Sequence, residues 1–149
     1  MSLTATTHVT INASPDRVWE ALTKPELVKQ YMMGSDVTSD WKVGSPLVYT
    51  GIYKDKPFKE TGVIRKIERN KLLQATHFST TSGMEDKPEN YHLVTWELNE
   101  QNGSTVVTVS QDGISTEKGI EGSKANWDAV LKGLKQTVET ASPAPVLPR

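Results

Sequence analysis

The last long segment of the chain, Glu117 to Ala141, carries its apolar residues on one side of a helix. These residues fall at steps of three and four, which is the 3.6-residue period of an amphipathic α-helix. Charged residues occupy the opposite side. The apolar stripe comprises Trp127, Val130, Leu131, Leu134, Val138 and Ala141, and the charged side comprises Lys124, Asp128, Lys132, Lys135 and Glu139. We therefore expect one long C-terminal helix that packs through a single face.

The beginning of the chain predicts a strand followed by two short helices. Residues 4–12 alternate between apolar and polar, which is typical of a half-buried strand. Ser14 followed by Pro15 is a typical helix start, in which the hydroxyl caps free N–H groups and the proline takes the first helical position. A second short helix is expected from Pro25 to about Met32.

From Asp36 onward, apolar residues recur at every second position, which indicates β-strands. Turn-forming residues separate the alternating runs, and Asn102-Gly103 between the last two is typical of a tight hairpin. We expect six strands here, at about residues 36–41, 47–54, 59–68, 71–79, 91–99 and 104–112. A helix with one apolar face must cover a face of their sheet, so the pattern predicts a two-layer α+β domain.

Composition excludes several classes of protein. The chain has 149 residues, a net charge of −1 and no cysteine. This charge balance provides no basic surface for nucleic acid, and the lack of cysteine excludes disulfides, thiol catalysis and thiolate metal sites. No apolar run approaches the roughly 18 residues that span a bilayer, and the N-terminus lacks the pattern of a signal peptide. We therefore expect no membrane insertion and a cytoplasmic location.

The length fits one domain, which we expect at residues 1–141. A proline-rich tail, 142–149, is expected to be extended or disordered. The polar run from Ser79 to Asn90 predicts a mobile loop.

Four local patterns follow one another along nearly the whole chain. They are Ile11–Thr23 with its Ala-Ser-Pro-Asp-Arg-Val-Trp-Glu-Ala-Leu run, Gly62–Ile67 followed by Leu72-Leu73, Val94–Leu98 followed by Gly103–Thr105 and Val107–Val109, and Gly122 through Trp127 to Leu134. Together with the order of elements they resemble the START-like (SRPBCC) superfamily. Within it they are similar to the family of homologues of the activator of the 90-kilodalton heat-shock protein's ATPase. The resemblance implies a helix-grip fold, in which a curved antiparallel sheet of six to seven strands wraps around the C-terminal helix.

The resemblance also implies a range of functions. Members of this superfamily bind lipids, sterols, polyketides or other apolar molecules in a cavity under the helix, some are cyclases, and the eukaryotic namesake is a co-chaperone. We expect a small cytoplasmic protein that binds an apolar or aromatic, lipid-like or polyketide-like ligand between helix and sheet. The alternatives are a chaperone-ATPase modulator or other protein-interaction module, connected with the stress response, and an enzyme of the cyclase or dehydratase type.

Large side chains on several elements are candidates for the wall of such a cavity. Each can instead fill the core, because an aromatic side chain buries about 150–250 Å². Alternation leaves open whether the strand at 47–54 turns Tyr49 and Tyr53 inward, with Gly51 leaving room between them, or Val48 and Ile52. The expected ligand-binding residues are Tyr31, Met32, Trp41, Tyr49, Tyr53, His77, Trp96, Trp127 and Leu131.

Motifs of catalysis or metal binding are missing from the sequence. His8, His77 and His92 lack the spacing of a metal site, although the last two flank the expected loop and can come together. Acid–base work would fall to His77 or Glu60 facing the cavity. We expect no metal, no cofactor and no catalytic residue, and binding in preference to catalysis. The Ser79–Asn90 loop, with glycines 119 and 122 at the helix start, is expected to gate the cavity.

Overall fold

The computed structural model describes residues 3–80 and 83–140, so the expected tail and Ala141 lie outside the described part. The elements within it, in chain order, are β1 (Leu3–Ile11), α1 (Pro15–Thr23), α2 (Pro25–Tyr31), β2 (Asp36–Ser39), β3 (Pro46–Tyr53), β4 (Lys56–Glu68), β5 (Leu72–Ser79), a 3₁₀ turn (Pro88–Asn90), β6 (His92–Gln101), β7 (Ser104–Ile114) and α3 (Glu117–Thr140). No helix in these residues is long and apolar enough to cross a membrane.

The strands form one curved antiparallel sheet in the order β1-β7-β6-β5-β4-β3-β2. Every step from β2 to β7 joins strands that are consecutive in the chain, and β1 closes the order by pairing with β7. The α+β architecture, with two short helices after the first strand and a long C-terminal helix, is thereby confirmed.

Two of the strand ends that differ from the sequence expectation are set by left-handed backbone. β2 ends at Ser39 rather than at residue 41, since Trp41 has a φ of 56° and cannot continue a strand. β4 begins at Lys56 rather than at residue 59. Lys54 and Asp55, with φ values of 52° and 65°, form a two-residue turn whose twist suits a hairpin, so β3 and β4 pair up to its edge.

The start of α1 is where predicted, but the predicted side-chain cap is wrong. The Ser14 hydroxyl makes no capping hydrogen bond. Instead, the carbonyl oxygen of Ser14 accepts hydrogen bonds from the backbone N–H groups of Arg17 and Val18, at 3.1 and 3.2 Å. The helix therefore begins on backbone hydrogen bonds and on the fixed φ of Pro15.

Core packing holds the rear part of α3, residues 131–140. Leu131, Leu134 and Val138 are almost fully buried, with exposures of 1%, 0% and 2%. They belong to the same core cluster as Ile11 of β1 and Val107 of β7. Burying each of these leucines contributes about 1.5–3 kcal/mol. The apolar stripe thus has the predicted role in this part of the helix.

Residues on the charged side of α3 form hydrogen bonds to the first strand and the residue after it. Lys135 Nζ donates to the carbonyl oxygen of Thr10 at 2.8 Å. Glu139 accepts a hydrogen bond from the backbone N–H of Asn12, also at 2.8 Å. Asp128 accepts one from a threonine hydroxyl of β1. These contacts tie the helix along β1, the edge strand of the sheet.

A close approach of backbones occurs between β4 and β5 at Gly62. A Cβ atom at this position would lie 1.7 Å from the carbonyl oxygen of Thr76. The N–H of the next residue, Val63, donates a hydrogen bond to the Thr76 hydroxyl oxygen at 2.8 Å. Just beyond, the register shifts between Ile64 and Lys66, which marks a bulge. Glycine is therefore required here by the space between two strands.

Candidate ligand-binding site

A cavity of about 790 Å³ lies between α3 and the sheet. The front part of α3, residues 117–130, supplies one wall through residues 123–130, and strands β3 to β7 with the end of α2 supply the others. Most of the wall is apolar. The apolar lining residues are Tyr31, Met32, Met33, Leu47, Phe58, Leu73, Ala75, Val94, Trp96, Trp127, Ala129 and Val130.

Two tryptophan rings contact each other in the wall of the cavity. The rings of Trp96 on β6 and Trp127 on α3 have centroids 5.6 Å apart and are nearly perpendicular, at 89°, which is a favourable edge-to-face arrangement. Trp127 Nε1 donates to Gln111 Oε1 at 2.8 Å, and the Ser123 hydroxyl donates to the same oxygen at 3.2 Å. Gln111 therefore fixes the indole and joins the front part of α3 to β7.

The two tyrosines of the wall have different roles. The Tyr31 hydroxyl donates to the carbonyl oxygen of Ala21 at 2.6 Å, which joins α2 to α1. Tyr49 lines the cavity, whereas Ile52 on the same strand is 70% exposed, so the open question of the inward face is answered for Tyr49. No residue of the described part bonds the Tyr49 hydroxyl.

The pKa values of both phenols are raised above the ordinary tyrosine range. Burial is the main cause in each case. The charge of Glu60 adds to the rise in the pKa of Tyr49, and Tyr49 adds to that of Tyr31. Both phenols are therefore neutral hydroxyl groups at physiological pH, able to donate a hydrogen bond.

A histidine–carboxylate pair also faces the cavity. Glu60 on β4 lies directly opposite Tyr49 on β3, and His77 on β5 donates from Nε2 to Glu60 Oε1 at 3.1 Å. Their side chains are only 25% and 29% exposed, for His77 and Glu60. His77 Nδ1 is enclosed and has no hydrogen-bond partner among the described residues. The pair thus places a charged oxygen in a largely apolar wall.

Most of the side chains expected to bind ligand are brought together at this cavity, and their binding role stays a prediction. Trp41 instead packs, half-buried, against the core just after β2, and Leu131 lies in the core behind the cavity. The side chain of Tyr53 is outside the described part. The expected residues that line the cavity are Tyr31, Met32, Tyr49, His77, Trp96 and Trp127.

Phe58 and Gln111 are among the wall residues that the sequence reasoning missed. Phe58 shares one face of β4 with Glu60. Its ring occupies the space at Gly51, where a Cβ would lie 2.8 Å from Phe58 Cζ. Gln111 follows Val107 and Val109 on the inward face of β7, both at 0% exposure. A polar residue at an inward position was the signal that could have found it.

The mouth of the cavity lies away from the expected gate. Its exposed lining residues belong to the end of α2, the β3–β4 hairpin and α3. Neither residues 83–90 nor glycines 119 and 122 line it. The gate expected there therefore stays a prediction. The exposed lining residues are Met33, Lys54, Lys56, Asn126 and Ala129.

The histidines that flank the loop do come together. His77 and His92 are directly opposite each other on β5 and β6. His92 Nδ1, however, bonds to the carbonyl oxygen of Asp112 at 2.8 Å. Within residues 3–80 and 83–140, no three His, Asp or Glu side chains are grouped to hold a metal ion.

The chain resembles known proteins in both sequence and fold. A protein from Cytophaga hutchinsonii with a known solution structure is 42% identical to the chain, with a TM-score of 0.81 over 95% of this chain and 97% of that one. The Aha1 dimer from Colwellia psychrerythraea is 18% identical, with a TM-score of 0.74 over 94% and 98%. DynU16, a protein of the dynemicin biosynthetic locus, is 20% identical, with a TM-score of 0.77 over 94% of this chain and 48% of that one.

The latter two likenesses concern the fold alone, and they agree with the START-like, helix-grip fold that the sequence resemblance implied. No protein of curated function matches the chain. The sequence pattern of the family described as activator of Hsp90 ATPase homolog 1-like protein matches residues 12–139. That match spans most of the chain, which therefore belongs to the family of activator of Hsp90 ATPase homolog 1-like proteins.

Proposed function

We propose that the chain binds an apolar or aromatic small molecule, lipid-like or polyketide-like, in the cavity between α3 and the sheet. The observation that carries this proposal is the hollow of about 790 Å³ with a mostly apolar wall. Small-molecule sites typically have volumes of about 300–1,000 Å³ and are lined mainly by apolar and aromatic side chains. A void of this size otherwise costs stability, because its lining lacks packing partners.

The wall is suited to planar or extended apolar molecules. Trp96 and Trp127 present a fixed aromatic corner on one side, and Phe58 presents a ring on the other. An occupant would exchange contact with water for contact with these rings, at about 25 cal/mol for each Å² of apolar surface removed from water. The open mouth allows exchange without unfolding of the core.

Acid–base catalysis on the bound molecule is a second candidate, favoured by the contact between Glu60 and His77. A carboxylate that orients an imidazole is a common arrangement for a general base. Here, however, the enclosed nitrogen is His77 Nδ1, and Nε2 is the nitrogen that already bonds Glu60. A substrate would have to break this hydrogen bond to reach the base, so the geometry supports binding better than catalysis.

Titration with 1-methylpyrene, a fluorescent molecule without polar groups, tests the binding proposal. Tryptophan emission overlaps pyrene absorption, so energy transfer from Trp96 and Trp127 should report saturable binding of one molecule per chain. Ala75→Phe extends a ring into the cavity and should weaken binding at least about tenfold, a loss of about 1.4 kcal/mol. Ala125→Phe, the same change on an exposed helix position outside the cavity, should leave binding unchanged.

The proposal fails if neither 1-methylpyrene, nor 1-pyrenemethanol, nor 1-pyreneacetic acid, nor 1-dodecanol binds saturably to the folded protein. It also fails if Ala75→Phe and Ala125→Phe behave alike while both remain folded, because binding would then take place elsewhere on the surface.

A further inference from the structure

Three polar side chains interrupt the apolar wall at one place, and we call them the Tyr49–Glu60–His77 cluster. They come from adjacent strands β3, β4 and β5. Tyr49 and Glu60 are cross-strand partners, and His77 reaches Glu60 from the other side. All three line the cavity, and Phe58, two residues before Glu60, lies beside them in the apolar part of the wall.

The cluster has hydrogen-bonding capacity that the described residues do not use. An ionised carboxylate offers about four lone-pair positions on two oxygens. His77 bonds Oε1 of Glu60, and no described residue bonds Oε2. The Tyr49 hydroxyl likewise has no partner among the residues that the structure describes. A carboxylate oxygen against an apolar wall needs a hydrogen-bond donor, which water supplies until an occupant displaces it.

The negative charge of Glu60 determines which polar group of a ligand can bind at the cluster. A ligand carboxylate placed here would meet a like charge in a partly dry cavity, where repulsion is stronger than in water. An ammonium group would donate a hydrogen bond, but it loses far more hydration on leaving water. A hydroxyl group carries no charge, donates one hydrogen bond, and can accept another from the neutral phenol of Tyr49.

We infer that the ligand of this cavity is an alcohol or phenol, whose hydroxyl group donates to Glu60 at the Tyr49–Glu60–His77 cluster while its apolar body fills the rest of the space. This inference rests on the proposed function and makes it more specific. It distinguishes hydroxylated apolar molecules from pure hydrocarbons and from carboxylic acids such as fatty acids.

Three probes that share one ring system test the inference: 1-methylpyrene, 1-pyrenemethanol and 1-pyreneacetic acid. A wholly apolar wall would bind 1-pyrenemethanol more weakly than 1-methylpyrene, because the hydroxyl group would lose its water without replacement. We expect the reverse order in the native protein, with 1-pyrenemethanol bound about fivefold more tightly, and 1-pyreneacetic acid bound most weakly.

Glu60→Gln separates the charge from the shape of the side chain. It should weaken binding of 1-pyrenemethanol about fivefold, strengthen binding of 1-pyreneacetic acid by a similar factor, and leave 1-methylpyrene unchanged. Opposite changes for two probes exclude a general disturbance of the cavity, which would weaken all three. Glu68→Gln, the same substitution on the exposed part of β4, is the matched control and should change none of them.

The outcomes separate this inference from the proposed function. If 1-methylpyrene binds and 1-pyrenemethanol binds no more tightly, the cavity binds apolar molecules but the hydroxyl inference is overturned. The native protein alone decides this point, even if Glu60→Gln does not fold. If none of the probes binds, nor 1-dodecanol, the proposed function itself fails.

Discussion

Replacing Gly62 by alanine should strongly destabilise the protein. The new Cβ would lie 1.7 Å from the carbonyl oxygen of Thr76 and 2.5 Å from its carbonyl carbon. Both atoms are backbone, so no side-chain rotation relieves the clash and β4 must move away from β5. Overpacking of this kind costs about 1–3 kcal/mol. Loss of the hydrogen bond from Val63 N–H to the Thr76 hydroxyl adds about 1 kcal/mol.

Thermal and urea unfolding measure this effect. A loss of about 3 kcal/mol corresponds to a melting temperature lower by about 6–12 °C for a chain of this size. Gly122→Ala is the control, because no atom lies within 4 Å of its added Cβ. In the interior of α3 that change should stabilise by about 0.5–1 kcal/mol. If Gly62→Ala melts within about 2 °C of the native protein, the close approach of β4 and β5 is wrong.

Three further predictions concern the core and the titrating groups. Leu134→Ala should cost about 2–5 kcal/mol in urea unfolding, because the side chain is fully enclosed; a cost below about 1 kcal/mol would contradict this packing of α3. The Asn12 N–H is the main cause that lowers the pKa of Glu139, so Glu139→Gln should lower the melting temperature at pH 7. The difference should shrink as the pH falls below the ordinary glutamate pKa of about 4.3 and disappear below the lowered pKa of the folded protein; a difference that does not change with pH would contradict it. Burial raises the pKa of Tyr31 and Tyr49, so ultraviolet titration should show fewer ionised tyrosines near pH 10 in the native than in the unfolded protein. The free energy of unfolding should therefore fall as the pH rises past about 10. Equal titration curves for the two states would show that neither phenol is buried.

The periodicity of apolar residues was sufficient to predict the helices and strands, but it did not predict the cavity between α3 and the sheet. Steps of three and four placed Trp127 and Leu131 on one stripe of α3, and both do face the sheet. Trp127 nevertheless borders the cavity, and Leu131 is in the core. The difference depends on how far the sheet curves away from each turn of the helix. Curvature arises from distributed twist and from close contacts such as that at Gly62, which alternation does not reveal.

To predict the Tyr49–Glu60–His77 cluster, one would need to know how the strands pair, and the sequence does not determine this pairing. The contact between Glu60 and His77 requires a particular alignment of β4 with β5. A bulge between Ile64 and Lys66 shifts that alignment along the same pair of strands. The orientation of Tyr49 was likewise open, because both faces of β3 carry large side chains and alternation does not show which face is inward. The candidate types of residue were therefore predictable, and their partners were not.

The front and rear parts of α3 are held in different ways, and this has a consequence for divergence within the family. The rear part is held by enclosed side chains such as Leu134, whose replacement endangers folding. The front part is held by side-chain hydrogen bonds, as from Trp127 to Gln111. The exposed residues of the front part that border the hollow, Asn126 and Ala129, can thus be exchanged at small energetic cost. If the cavity binds a ligand as proposed, a few substitutions in two turns of α3 would change which ligand the same scaffold accepts.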